Sequence, residues 1–302
     1  MKFDLLSFLL GFFGGLVVLV IRRFFKGVLP KIFNSASNWV LNYKQKNLNV
    51  IEDQFKSATY QRAQNAHLQN NLFPLKEIIV PPFFTAPPKN KLNHASEPIY
   101  SVTDRLFPFT PGYLELASQF SISKISLSDA IANGVNLVLI GHPGSGKTTA
   151  LADLVSQICS CPQKTGQLAA FFPIYMHVHD IILSNDDSNS WNLLLDSLQG
   201  LNTAHRNQIN KLLLNIKNVF SRKILFVLDG MDELSPQDFD QYTKLLKRLL
   251  DDYPAIQVLT TATPEYLGNL LDLGFSPLGI TAWGRREIDH FLKNWITQWD
   301  RN

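Results

Sequence analysis

Hydrophobic residues occur along this chain in three rhythms, each predicting a different kind of element. The first is one long uncharged run, Leu5 to Ile21 (LLSFLLGFFGGLVVLVI), at the lower limit of length for a helix that spans a bilayer. The second is a set of short, mostly apolar runs at Val135 to Ile140, Phe172 to Val178, Ile224 to Leu228 and Ile256 to Thr261. These read as buried strands of a parallel sheet. The third is helical spacing, seen from Thr148 to Ile158 and again at Ile288, Phe291, Leu292, Trp295, Ile296 and Trp299. Strands alternating with helices predict a three-layer α/β domain with a mostly parallel sheet of about five strands. The runs at 224–228 and 256–261 are the most apolar, which predicts them for its middle.

The intervening polar stretches divide the chain into residues 1–26, a membrane anchor with a basic flank, 27–112, a juxtamembrane linker, and 113–302, the folded domain. The anchor runs straight into Arg22, Arg23 and Lys26 with no small-residue cleavage site, so it reads as uncleaved. Basic residues gather after the span, which predicts a single-pass protein with everything beyond Arg22 in the cytoplasm. Gly11 and Gly15 stand in GxxxG spacing, which permits close helix packing. Asn38 to Leu72 carries Leu41, Leu48, Ile51 and Phe55 at roughly helical spacing and reads either as a polar helix or short coiled coil, or as a solvated linker. Val80 to Pro98 is proline-rich and predicts an extended connector. Ser126 with Asp129, and Ser235 followed by Pro236, have the form of helix starts. The apolar stripe near the end needs a partner, and no Gly or Pro stop follows it. The expectation is that the chain is a fragment of something longer.

Composition adds little beyond this. The 302 residues carry a net charge of +3, much of it beside the predicted span, where anionic headgroups explain it. No nucleic-acid-binding motif is visible. The two cysteines, Cys159 and Cys161, lack a second pair to complete a zinc site and read as reduced structural thiols.

The chemistry lies at the ends of two predicted strands. After Val135 to Ile140 comes Gly141-His142-Pro143-Gly144-Ser145-Gly146-Lys147-Thr148, a complete phosphate-binding loop opening a helix. Its glycines let backbone N–H groups turn toward an anion, and the helix directs its positive end at the same place. Gly141, Pro143, Gly144, Ser145, Gly146, Lys147, Thr148 and Thr149 are the candidate nucleotide-binding residues. Lys147 would reach the β- and γ-phosphates, and the Thr148 hydroxyl would sit on magnesium. After Ile224 to Leu228 come Asp229-Gly230-Met231-Asp232-Glu233. Asp229, at the carboxyl end of its strand, is the candidate Mg2+ carboxylate, and Asp232 and Glu233 are candidates to orient or deprotonate an attacking water. ATP with Mg2+ is the expected ligand; no NKxD motif for reading guanine follows the acidic strand.

An apolar strand ending in Asp-Gly-hydrophobic-Asp-Glu, downstream of a GxPGSGKTT loop, resembles the NACHT family within the STAND class of signalling ATPases. Ser126 to Gly134, Phe172 to Met176 and Gln257 to Pro264 resemble further parts of it, so the resemblance covers roughly Ser121 to the end of the chain. It implies a signalling switch driven by ATP, homo-oligomer formation and a signalling partner. The family commonly carries an arginine before the proline that ends its sensor strand, whereas this chain has Thr263 before Pro264. Thr260, Thr261 or Thr263 can hydrogen-bond a phosphate but bring no charge, so slow hydrolysis is expected; Arg285 and Arg286 read more simply as a solvated helix start. A non-hydrolysing scaffold or adaptor and a mechanical ATPase of AAA+ type stand as alternatives.

Overall fold

The apolar runs assemble into one sheet. The computed structural model describes residues 48–67, 72–85, 124–160, 166–181, 183, 190–201, 206–218 and 222–301. The chain falls into two compact units, Met1–Glu52 and Asp53–Asn302, and the second contains everything that follows. The span predicted at Leu5 to Ile21 lies outside the described residues. Among the described residues no helix is long and apolar enough to cross a membrane.

The strands are β1 (Phe84–Thr85), β2 (Lys124–Ile125), β3 (Leu137–Ile140), β4 (Phe171–His177), β5 (Lys223–Asp229), β6 (Gln257–Ala262) and β7 (Ser276–Ile280), in the order β2-β1-β7-β3-β6-β5-β4. The five strands from β7 to β4 are parallel, while β1 and β2 add an antiparallel edge. β6 lies at the centre of the parallel set with β5 beside it, as their apolar runs predict. β6 also separates the strand that feeds the phosphate loop from the strand that ends in Asp229.

Alternation along the strands sorts the core into two faces. Leu137, Leu139, Leu225, Val227 and Leu259 pack with Leu151, Leu154 and Val155 of the helix Lys147–Ser160. Asp229 shares the parity of Leu225 and Val227, so it emerges on the face that this helix covers. Phe172, Phe226 and Val258, of the other parity, are also buried. Polar residues then tie the start of the sheet. Gln257 Nε2 donates to Ile131 O at 3.0 Å and to Val135 O at 2.8 Å, and Asn136 Oδ1 accepts from Val258 N at 2.8 Å. Ser126 and Ser235 cap their helices as expected, accepting from Asp129 N at 3.1 Å and from Asp238 N at 3.3 Å.

Four features differ from the sequence reading. β7 has no apolar run because it contains Pro277 and Gly279. Ser276 N donates to Asn136 O beside β3, and Thr281 N donates to Phe83 O on the β1 side. Alternation therefore points the Pro277 nitrogen to the β1 side, at a position beyond the two residues with which β1 pairs, so no ladder bond is lost among the described residues. Within the stretch read as an extended connector, Phe84 and Thr85 are a buried strand, and Val80 is buried with Leu75 and Ile78 of the short helix Leu75–Ile78. Finally, the helix over residues 53–64, α1, packs on the domain. Phe55 meets the Phe172 ring at 5.1 Å, Gln64 Nε2 donates to Ser156 Oγ at 2.8 Å, and Arg62 pairs with Asp180. The last helix, Arg285–Trp299, splits its predicted stripe. Trp295 meets Phe73 edge-on at 5.2 Å, while Ile288, Leu292, Ile296 and Trp299 are exposed.

Candidate functional site

β3 ends at Ile140, and the chain turns over Gly141 to Gly146 into the helix that begins at Lys147. Gly146 has φ +93°, a conformation that side chains disfavour, and Gly146 O accepts from Ala150 N at 2.9 Å to start the helix. His142, Pro143 and Gly144 are exposed, whereas Ser145 and Thr149 are half-buried. The Ser145 hydroxyl is enclosed without a hydrogen-bond partner among the described residues. A polar atom buried this way costs free energy until an acceptor or donor reaches it, and a phosphate oxygen at the loop would be such a partner.

Lys147 is buried and fully engaged. Its Nζ donates to Gly141 O at 2.8 Å and to His142 O at 3.1 Å, and lies 2.9 Å from Asp232 Oδ2. The ammonium is thus folded back into its own loop and clamped by an acid from the β5 turn.

Asp229 is 1% exposed. Thr148 Oγ1 donates to its Oδ1 at 3.2 Å, the Gly230 N–H donates to the same oxygen at 2.9 Å, and Tyr175 OH donates to Oδ2 at 3.3 Å. Burial pushes the Asp229 carboxyl above the usual carboxylate range, against the Thr148 hydrogen bond, the nearby His177 and the Gly230 N–H. The Tyr175 phenol is pushed upward too, first by burial and then by the negative Asp229. A buried carboxylate that is costly to ionise gains most from a cation, and the oxygens of Thr148 and Asp229 form the hard donor set that Mg2+ prefers.

Beyond Asp229 the chain bends at Gly230, φ +86°, into the single turn Met231–Glu233. A Cβ at residue 230 would fall 2.3 Å from His177 Nε2, so both the backbone conformation and the neighbouring ring require glycine. The two acids of the turn then part. Asp232 goes to Lys147, while Glu233, 59% exposed, lies with Oε2 3.8 Å from His177 Nε2. The structure thus brings Lys147, Thr148, Asp229 and Asp232 together and leaves Glu233 at the rim.

The sensor threonines divide similarly. Thr260 Oγ1 donates to Leu228 O at 2.9 Å, whereas the Thr263 hydroxyl is enclosed with no hydrogen-bond partner among the described residues. Thr261, on the face of the loop helix, keeps a buried hydroxyl with no partner among the described residues. Arg285 and Arg286 are exposed at the first turn of the last helix, apart from the loop's contacts. Cys159 is half-buried, and burial pushes its thiol up to about 12; Cys161 lies outside the described residues.

Beside the loop lies a cavity of about 670 Å³. Its wall includes Gly144 and Thr149, but also Val80 and Pro82 from the connector and Trp283 and Phe291 from the chain's last described segments. Sequence reasoning missed this wall because its residues belong to no motif. His177 and Tyr175 were missed as well, although the rule that selected Asp229, the carboxyl end of a parallel strand, also applies to the end of β4.

A family model described as the NACHT domain matches residues 136–298. Among solved structures, the ORC2 protein of Aeropyrum pernix, described as ADPNP-ADP complexes, is similar at 18% identity with a TM-score of 0.35. The alignment covers 70% of this chain and 56% of that one, so this chain matches little more than half of that protein's length. No curated protein sequence matches.

Proposed function

The chain belongs to the NACHT domain family of P-loop NTPases, and from that premise we propose that it binds ATP with Mg2+ and hydrolyses it slowly as a conformational or oligomerisation switch. The observation that carries this reading is the ion pair between Lys147 and Asp232. A phosphate that takes the Lys147 ammonium displaces Asp232, so nucleotide occupancy is written into the conformation of the β5 turn.

Each residue then has a role. The loop N–H groups and Ser145 receive phosphate oxygens. Thr148 and Asp229 would hold Mg2+, which when bound offsets phosphate charge. Glu233 takes a proton from the attacking water at its carboxylate. Val80, Pro82, Trp283 and Phe291 offer the apolar walls that a nucleobase and its sugar need. Thr263 stands before Pro264 where the family carries an arginine, and the missing charge supports slow turnover.

We place the domain on the cytoplasmic side of a membrane, anchored by Leu5 to Ile21, with a homo-oligomer and a signalling partner as its outputs. The uncharged run and its basic flank support the anchor. Protease protection in membrane vesicles tests it: full digestion of the whole chain in sealed, right-side-out vesicles, with no protected fragment in inverted ones, would remove the anchor. A non-hydrolysing nucleotide-binding scaffold is the second reading, favoured by Thr263 in place of arginine.

ATP binding and turnover of the wild type, Lys147→Ala and Glu233→Gln decide between them. The switch reading expects binding lost in the first variant and kept in the second, with turnover in the wild type alone. Binding without turnover in the wild type selects the scaffold, and no binding in any of the three overturns the proposal.

A further inference from the structure

The nitrogens of His177 are distinguishable by their neighbours. Nδ1 accepts from the backbone N–H of His179 at 3.3 Å and lies 3.1 Å from Nδ1 of the His179 ring. A ring nitrogen that accepts a backbone N–H carries no proton, so in the neutral imidazole the proton sits on Nε2, the nitrogen that faces Glu233. The ring is held flat, stacked on His179 at 4.8 Å and 20° and pressed against the Gly230 backbone. Its backbone is held as well. His177 N donates to Asp180 Oδ2 at 2.7 Å, and that oxygen also accepts from the Arg62 guanidinium of α1. Among the described residues, His177 is the side chain within ion-pair distance of Glu233, whose carboxylate is otherwise in solvent.

We propose that His177 is the positioning residue for Glu233, and that Arg62, through Asp180, sets His177, so that α1 and the carboxylate that serves the lytic water move as one unit. Donation from Nε2 to one Glu233 oxygen leaves the other oxygen for water and fixes its direction. A movement of roughly 1 Å brings the 3.8 Å separation to hydrogen-bond length. α1 leads into the domain from the linker, so a displacement of that helix alters turnover while the loop and its ligands stay as they are. This inference rests on the ATPase reading.

The test uses the full chain and measures kcat, ATP affinity and Tm. His177→Phe keeps a flat ring against Gly230 but has no donor, whereas His177→Gln supplies an N–H without the ring. The Phe variant is expected to lose about tenfold in kcat with ATP affinity and Tm near wild type, and the Gln variant to recover most of it. Arg62→Ala is expected to lose roughly threefold alone and nothing further in the His177→Phe background. Wild-type kcat in His177→Phe, or equal loss in Phe and Gln, overturns the positioning role. An Arg62→Ala loss that persists in the double variant overturns the coupling. Wild-type protein that binds ATP without turnover overturns the ATPase reading itself, a result obtained before any variant is made.

Discussion

At the inner end of the site, Lys147 lies 2.9 Å from Asp232, and the next residue, Thr148, donates to Asp229 at 3.2 Å. At the rim, Glu233 stands in solvent, 3.8 Å from its nearest partner, and the cavity wall is assembled from segments far apart in sequence. The inner end is held by buried polar contacts on every side: Lys147 by Asp232 and two loop carbonyls, and Asp229 by Thr148, Tyr175 and the Gly230 N–H. The rim has solvent instead, and its geometry depends on what packs behind it. On the proposed function, affinity for phosphate and metal would belong to the inner end, and turnover and base recognition to the rim.

Substitutions ranked by expected effect can break this division. Gly230→Ala should act first on stability: a side chain at φ +86° and 2.3 Å from the His177 ring costs about 3 kcal/mol, read as a fall in the midpoint of urea unfolding. An unchanged midpoint would mean that residue 230 accepts a side chain without the clash at His177. Lys147→Ala should weaken ATP by about 100-fold, near 3 kcal/mol, in an equilibrium titration, since it removes a buried charge-assisted donor. At the rim, Trp283→Ala should weaken ATP by only about fivefold through lost apolar contact, with kcat preserved. A loss as large as that of Lys147→Ala would erase the distinction between the two regions.

The smallest effect concerns pH. The Asp229 carboxyl is raised in the folded state, so without Mg2+ its favourable contribution is present below the ordinary aspartate range. That contribution is lost as pH rises through the elevated value, and near neutrality the ionised group is a burden. Asp229→Asn should then raise the Tm of the metal-free protein near neutrality and flatten this part of the Tm–pH curve, while reducing the stabilisation that Mg-ATP confers. A variant with lower Tm at every pH would show that the carboxylate is structurally favourable.

The same contrast explains what could be read from the sequence. The inner end comes from contiguous motifs on strands whose uninterrupted apolar runs announce burial on both faces, and β3 to β6 fall within two residues of their expected bounds. β7 was hidden by Pro277 and Gly279, whose tolerance depends on where β1 stops. β1 was hidden among prolines, and no pattern in a two-residue strand is long enough to reveal it. The stripe of the last helix was legible, but not its division, because Phe73 covers Trp295 from a stretch with no periodicity. Asp232 and Glu233 read alike as adjacent acids, and it took the positions of Lys147 and His177 to separate them.

The clamp on Lys147 has one more consequence. Because Asp232 and two carbonyls already occupy the ammonium, every incoming anion has its dissociation constant multiplied by the same factor, the inverse of the fraction of molecules in which the lysine is released. A triphosphate that also gains the loop amides, a metal and an apolar wall absorbs that factor and still binds. A lone orthophosphate or sulfate, with only the loop to hold it, would need a correspondingly higher concentration. Asp232 would in that sense be a resident competitor, raising the concentration at which any anion, small ones included, takes the loop.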